Sequence, residues 1–183
     1  MKKKHVFIVI SMLIAMVVAM CACNQAKDFA GYSESMNNSM GSVKNLTSVL
    51  SVYDGEVLVY EYQRNMMIDG DNATIETTEK KLNTNFKLDS STSTENKSNV
   101  DKSKLLPLSL TESSAQNLKL RSDGFSCEIP AEDLASVLKL GSYEIAQTAS
   151  LDCVFSGDKL SSINCAFKLT DGKDVKLTYT YNY

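Results

Sequence analysis

Apolar residues at Phe29, Tyr32, Met36, Met40 and Val43 recur every three or four positions, which sets them on one face of a helix. Gly31 and Gly41 each weaken that helix by ~1 kcal/mol relative to Ala. The helix is therefore expected to stop near Gly41, with a strand from about Val43. Asp54-Gly55 then separates two apolar runs, Val49–Tyr53 and Glu56–Tyr60, a strong short-range sign of a hairpin. The returning strand carries Leu58, Tyr60, Tyr62, Met66 and Ile68 at even positions and Glu61, Gln63 and Asn65 on its other face, so one side packs and one is wet. Asp69-Gly70-Asp71-Asn72 makes a second turn into a strand from Ala73 to Leu82. Ser90 to Lys104 holds one apolar residue, Val100, and burial there cannot offset the entropy of ordering the chain. A mobile Ser/Thr/Asn/Lys-rich loop is expected at about 89–104.

Pattern returns after Leu105-Leu106-Pro107-Leu108. A strand near Leu118–Arg121, a turn at Ser122-Asp123-Gly124 and a strand Phe125–Ile129 lead into a short helix. Pro130 suits its first turn, Glu132 and Asp133 complement its positive end, Leu134, Val137 and Leu138 form its buried stripe, and Gly141 ends it. Three strands follow, Tyr143–Phe155, Leu160–Leu169 and Val175–Tyr183. All three carry their apolar residues at odd positions. Directly paired residues share a face, so odd must oppose odd, which requires odd-length loops or a bulge between the strands. Thr170-Asp171-Gly172 suits a three-residue loop, with Gly in the left-handed position. The predicted fold is α+β: a predominantly antiparallel, curved sheet with an N-terminal helix and one short internal helix, forming one domain over residues 29–183.

The first 22 residues read differently. Lys2–Lys4 form a basic start, and Val6–Met20 is an apolar run broken only by Ser11, ending in the small residues Cys21-Ala22-Cys23. This is the layout of an export signal. The 18 uncharged residues from Val6 to Cys23 also reach the short limit of a membrane span, but no basic flank follows them. Met20-Cys21-Ala22-Cys23 resembles the lipobox of bacterial lipoprotein precursors. That resemblance implies cleavage between Ala22 and Cys23, a diacylglyceryl thioether on the Cys23 sulfur, and attachment to the extracytoplasmic face of the cell membrane. Residues 23–28 would then be a polar tether. Two acyl chains suffice for lasting attachment, where one is marginal.

Loss of the signal removes three lysines and no acid, so the formal charge moves from −3 to −6, against nucleic acid as a partner. It also removes His5, the only histidine, and with it Ser-His-Asp, Cys-His and His-ligated metal chemistry. No glycine-rich phosphate loop occurs, and no cofactor is expected. Ser136-x-x-Lys139 and Ser156-x-x-Lys159 match a serine-lysine spacing that a chain so rich in both residues produces by chance, and no Lys-Thr-Gly accompanies them. Asp69-Gly70-Asp71-Asn72 offers carboxylates in a tight loop, but Ala73 and Thr74 stand where a calcium loop needs an oxygen ligand and a Gly. Glu132 and Asp133 diverge by about 100° on a helix and make no acid-base pair. The chain is read as non-enzymatic.

Cys127, Cys153 and Cys165 fall on apolar strand faces, where free Cys packs as a small hydrophobe. Export also permits a Cys153–Cys165 disulfide if their hairpin register pairs them directly. Three thiols on three strands without a Cys-x-x-Cys spacing point to no metal site. Leu58, Tyr60, Tyr62, Leu134, Leu138, Tyr179 and Tyr181 could line a partly apolar pocket, since tyrosines offer an apolar wall with a polar tip; the competing reading is a sheet packed on a helix with tyrosines at its margin.

The order of anchor, helix, hairpins, short helix and meander resembles the lipoprotein-carrier half-barrels of the LolA, LppX and LprG type. The resemblance implies a membrane-tethered module that binds a lipid or other apolar small molecule. Its competitor is a lipoprotein with a filled core that acts through contacts with envelope proteins or the cell wall.

Overall fold

The structure is a computed structural model that describes residues 27–139 and 144–183. The signal, Ala22, Cys23, most of the tether, Gly141 and Tyr143 lie outside the described residues. Nine strands form one open antiparallel sheet: β1 Asn45–Asp54, β2 Val57–Asp69, β3 Asn72–Leu82, β4 Leu88–Lys97, β5 Gln116–Arg121, β6 Gly124–Ile129, β7 Ala149–Ser156, β8 Lys159–Lys168 and β9 Asp174–Asn182. Their spatial order is β4-β3-β2-β1-β9-β8-β7-β6-β5. Among the described residues two α-helices accompany it, α1 Phe29–Met40 and α2 Ala131–Val137. The α+β class and the dominance of antiparallel strands agree with the sequence pattern, and among the described residues no helix is long and apolar enough to cross a membrane.

One face of the sheet is covered. Helix α1 starts at the Asp28 cap, whose side chain accepts from the Gly31 N–H at 2.7 Å, and buries Phe29, Tyr32, Met36 and Met40. Tyr32 stacks at 5.7 Å on Phe125 and 4.8 Å on Phe155, and its hydroxyl donates to the Arg121 carbonyl. Ser39 joins the helix to β8. Its hydroxyl accepts from the Leu160 N–H at 3.1 Å and donates to the Ser35 carbonyl at 2.6 Å. The outward groups of Leu160 lie past the last β8–β9 pair, Ser162 with Thr180. Side chains take them instead, since the Tyr183 hydroxyl donates to the Leu160 carbonyl at 2.7 Å.

A strap, residues 100–110, completes the cover. The Val100 N–H donates to the Asp71 carbonyl at 2.8 Å, a 3-10 turn runs over Lys102–Leu105, and the Ser109 N–H donates to the Val137 carbonyl at 2.7 Å. Leu105, Leu106 and Leu108 are buried against the sheet. On β7, β8 and β9 the odd positions do form the core, and a bulge makes that parity attainable. A two-residue turn, Gly157-Asp158, would pair odd with even, but Ser161 is an extra residue that shifts the register, so Cys153 opposes Ile163 and Leu151 opposes Cys165. The last hairpin closes as the sequence predicts: Leu169 and Lys173 bond across Thr170-Asp171-Gly172, with Gly172 at φ 90°.

Three expectations are corrected. Residues 89–97, within the mobile loop expected at about 89–104, belong instead to β4, paired along its length with β3. All ten of its side chains are exposed. An edge strand satisfies its backbone from one side and need bury nothing, and Thr and Ser suit it while resisting further pairing through their hydration. The first strand of the final meander begins at Ala149, six residues later than expected, with Ile145 making one isolated bridge to Leu169. Leu58 leaves the apolar face of β2. The register shift at the first hairpin makes Val59 the extra residue and pairs Leu58 with Tyr53, on the face opposite Val52.

Candidate functional site

Where the strap crosses β1, β2 and β9 it does not seal against them. A cleft of about 340 Å³ remains, bounded below by Leu46, Leu50, Met66 and Leu177 and above by Leu105 and Pro107. The strap is held over it by the Tyr181 hydroxyl, which donates to the Leu105 carbonyl at 3.3 Å. Tyr62 and Tyr179 form part of the wall, and Ser48, Arg64 and Lys104 also line it.

Of the residues expected to line a pocket, the cleft brings together Tyr62 and Tyr179, with Tyr181 buried behind them. Tyr60 stands beside it on β2, with the Lys81 ammonium 5.7 Å from its ring. Leu134 and Leu138 belong elsewhere; they are fully buried in the core beside α2. Leu58 is on the other face. Arg64 is the residue the sequence reading passed over. It occupies an even position between Tyr62 and Met66, so the same alternation that defined the apolar face of β2 places a guanidinium on it. Burial pushes the Tyr179 phenol above its ordinary range, so the group stays a proton donor across neutral pH.

The three described cysteines are free and buried. Cys153 and Cys165 are not directly paired but offset by two residues across the β7–β8 hairpin, and diagonal neighbours lie beyond the usual reach of a disulfide. The expected option of a bridge is therefore corrected. Burial pushes the thiols of Cys127 and Cys165 up to about 12 and raises that of Cys153 well above its ordinary value, so none is a ready nucleophile. Among the described residues no three His, Cys, Asp or Glu side chains are grouped to hold a metal ion.

A second depression of about 410 Å³ lies on the open face over β5–β9, where several of the polar groups are already paired. Asn117 donates to Glu128 at 2.6 Å, Arg121 pairs with Asp152 at 2.8 Å, and Thr178 donates to Asn164 at 3.2 Å. The cleft under the strap has apolar walls, and its Ser48, Arg64 and Tyr179 side chains make no hydrogen bond or ion pair among the described residues. Compared with known proteins, the chain matches no family model and no curated relative.

Proposed function

We propose that this chain is a lipoprotein of the bacterial cell envelope, tethered through Cys23 to the extracytoplasmic face of the membrane, which holds an apolar ligand in the cleft beneath its strap. The observation that carries the binding role is the cleft itself. Leu105 and Pro107 of the strap and Leu50 and Leu177 of the sheet line a common space of about 340 Å³, within the roughly 300–1,000 Å³ of small-molecule sites. The anchor is supported by the basic start, the apolar run and Met20-Cys21-Ala22-Cys23. In this reading the open sheet curves around α1 and the strap as a half-barrel does. The role is binding rather than catalysis, because no nucleophile and base are paired in the cleft.

Intact mass spectrometry of the protein expressed with its own signal and extracted mildly from membranes tests both halves. After denaturation the expected species begins at Cys23 and carries a diacylglyceryl adduct; an unmodified chain refutes the anchor. Under native conditions an additional lipid-sized adduct that is lost on denaturation supports the cleft. A native mass without it favours a filled-core module that works through envelope-protein or cell-wall contacts.

A further inference from the structure

The floor of the cleft is crossed by one row of polar side chains. Ser48 on β1 lies directly opposite Arg64 on β2 and directly opposite Tyr179 on β9. The next row on one side is Met66, Leu46 and Tyr181, and on the other Tyr62, Leu50 and Leu177. A guanidinium, a hydroxyl and a phenol are thus set between two largely apolar rows. Direct cross-strand neighbours stand roughly 5 Å apart, so Arg64 and Tyr179 flank Ser48 at about 10 Å from each other, and all three line the same cleft.

None of the three side chains has a hydrogen-bond or ion-pair partner among the described residues. Of the other charges on this face, Lys104 pairs with Asp101 at 3.4 Å, Glu79, one row away on β3, pairs with Lys81 at 2.8 Å, and the exposed Glu95 stands one row away and two strands over on β4. Arg64 is half-buried, permanently charged and able only to donate. The natural complement of a partly buried guanidinium with free donors is an oxyanion that accepts from several donors at once. The formal charge of the chain without its signal, −6, opposes anion binding in general. Any preference for an anion must therefore be local to this row.

We infer that the cleft takes a single-chain amphiphile with an acidic head, whose carboxylate or phosphate is held by Arg64, Ser48 and Tyr179 while its alkyl chain lies between Leu50, Leu177 and the strap. This rests on the binding role proposed above and gives that site its ligand class. A volume at the lower end of the range for small-molecule sites suits one alkyl chain rather than two.

The test is a titration of the extracted full-length protein, in a mild non-ionic detergent, with four probes of equal chain length: dodecanoate, dodecyl phosphate, dodecanol and dodecyltrimethylammonium. Binding is read as a mass adduct under native conditions. The anionic probes are expected to bind at least about tenfold more tightly than dodecanol, with the cationic probe weakest. Arg64→Gln should weaken the anions about 10- to 100-fold, leave dodecanol unchanged and so abolish the preference; Arg64→Lys should restore part of it. Unchanged dodecanol binding also shows that the variant keeps its fold. Ser48→Ala is a second variant, expected to weaken the anions about fivefold. A dodecanoate preference would point to free fatty acids and a dodecyl phosphate preference to lipid phosphomonoesters, both within the inference. Equal binding of dodecanol and the anions by the native protein overturns it while sparing the apolar cleft. Failure of all four probes overturns the cleft as well.

Discussion

Ser39→Ala deletes one oxygen and tests how the helix is joined to the sheet. In the native chain the Ser39 hydroxyl is 4% exposed and accepts from the backbone N–H of Leu160 at 3.1 Å. Leu160 is itself fully buried, and the face of its backbone that would meet β9 lies beyond the β8–β9 ladder, so the variant strands a buried N–H that water cannot reach. Stranding such a donor costs about 1–3 kcal/mol. Alanine recovers about 0.5 kcal/mol of helix propensity, leaving a net loss of roughly 1–2 kcal/mol. For a domain of this size that lowers Tm by about 2–8 °C. Urea unfolding gives the free energy, and hydrogen exchange at the Leu160 amide gives the cause, since its protection should fall in the variant. Asn38→Ala, an exposed neighbour on the same helix, should change stability by no more than about 0.5 kcal/mol, if anything upward. A Ser39→Ala protein as stable as the native one would refute the reasoning; undiminished protection of the Leu160 amide would do so independently.

Gly124 has φ 149°, and a Cβ placed there would stand 2.0 Å from the Cys153 carbonyl oxygen; Gly124→Ala should cost about 2–4 kcal/mol, seen as a lower urea midpoint. Phe86 holds φ 57° at the tip of the β3–β4 hairpin with 85% of its surface exposed. Phe86→Gly should therefore stabilise by about 0.5–1 kcal/mol, and a loss would mean that the ring packs in solution. The thiols predict an alkaline limit. Their folded-state values are raised from 9.0, to about 12 for Cys127 and Cys165, so the unfolded chain releases these protons first. Their contribution is whole below about pH 9 and is lost as pH rises towards 12; unfolding under reducing conditions at pH 8 to 11 should show the decline. At pH 8 a disulfide reagent should label the three thiols far more slowly in the native protein than in urea, and rapid native labelling would contradict their burial.

Alternation made most of the sheet legible, because a buried face leaves a period of two in the chain. The same rule shows why other parts were not. β4 buries nothing, so its only signature was a run of Ser and Thr that also describes a loop; what orders it is the β3 backbone, a partner that no local pattern announces. The odd parity of β7 and β8 demanded a bulge or an odd loop, yet the choice of Ser161 as the extra residue depends on Gly157-Asp158 closing in two residues. That choice decides that Cys153 and Cys165 miss each other by two residues. A similar one-residue shift at Val59 turns Leu58 away from the tyrosines. In the cleft, the tyrosine rows could be read from spacing, but the strap that roofs them could not, because the strands it crosses lie about 40 to 60 residues away on one side of the chain and about 70 to 76 on the other. Arg64 was in plain view in the alternation and needed only the question of what a guanidinium does on an apolar face.

The order of the strands also has a consequence for how the chain folds. β1 to β4 form one meander and β5 to β9 another, each built from neighbours in sequence, and the two halves meet only where β1 lies against β9. That seam pairs Leu46 with Tyr181 and Val52 with Val175, residues well over a hundred positions apart. Local hairpins close early, whereas so distant a pairing waits on the loop-closure entropy between its strands. The first half therefore has no seam to join until the last ten or so residues of the chain arrive, and during synthesis or export it carries β1 as an exposed apolar edge. Such an edge is where a partly made chain associates wrongly. A chain cut short before Val175 should lose the joined sheet altogether rather than just its final strand.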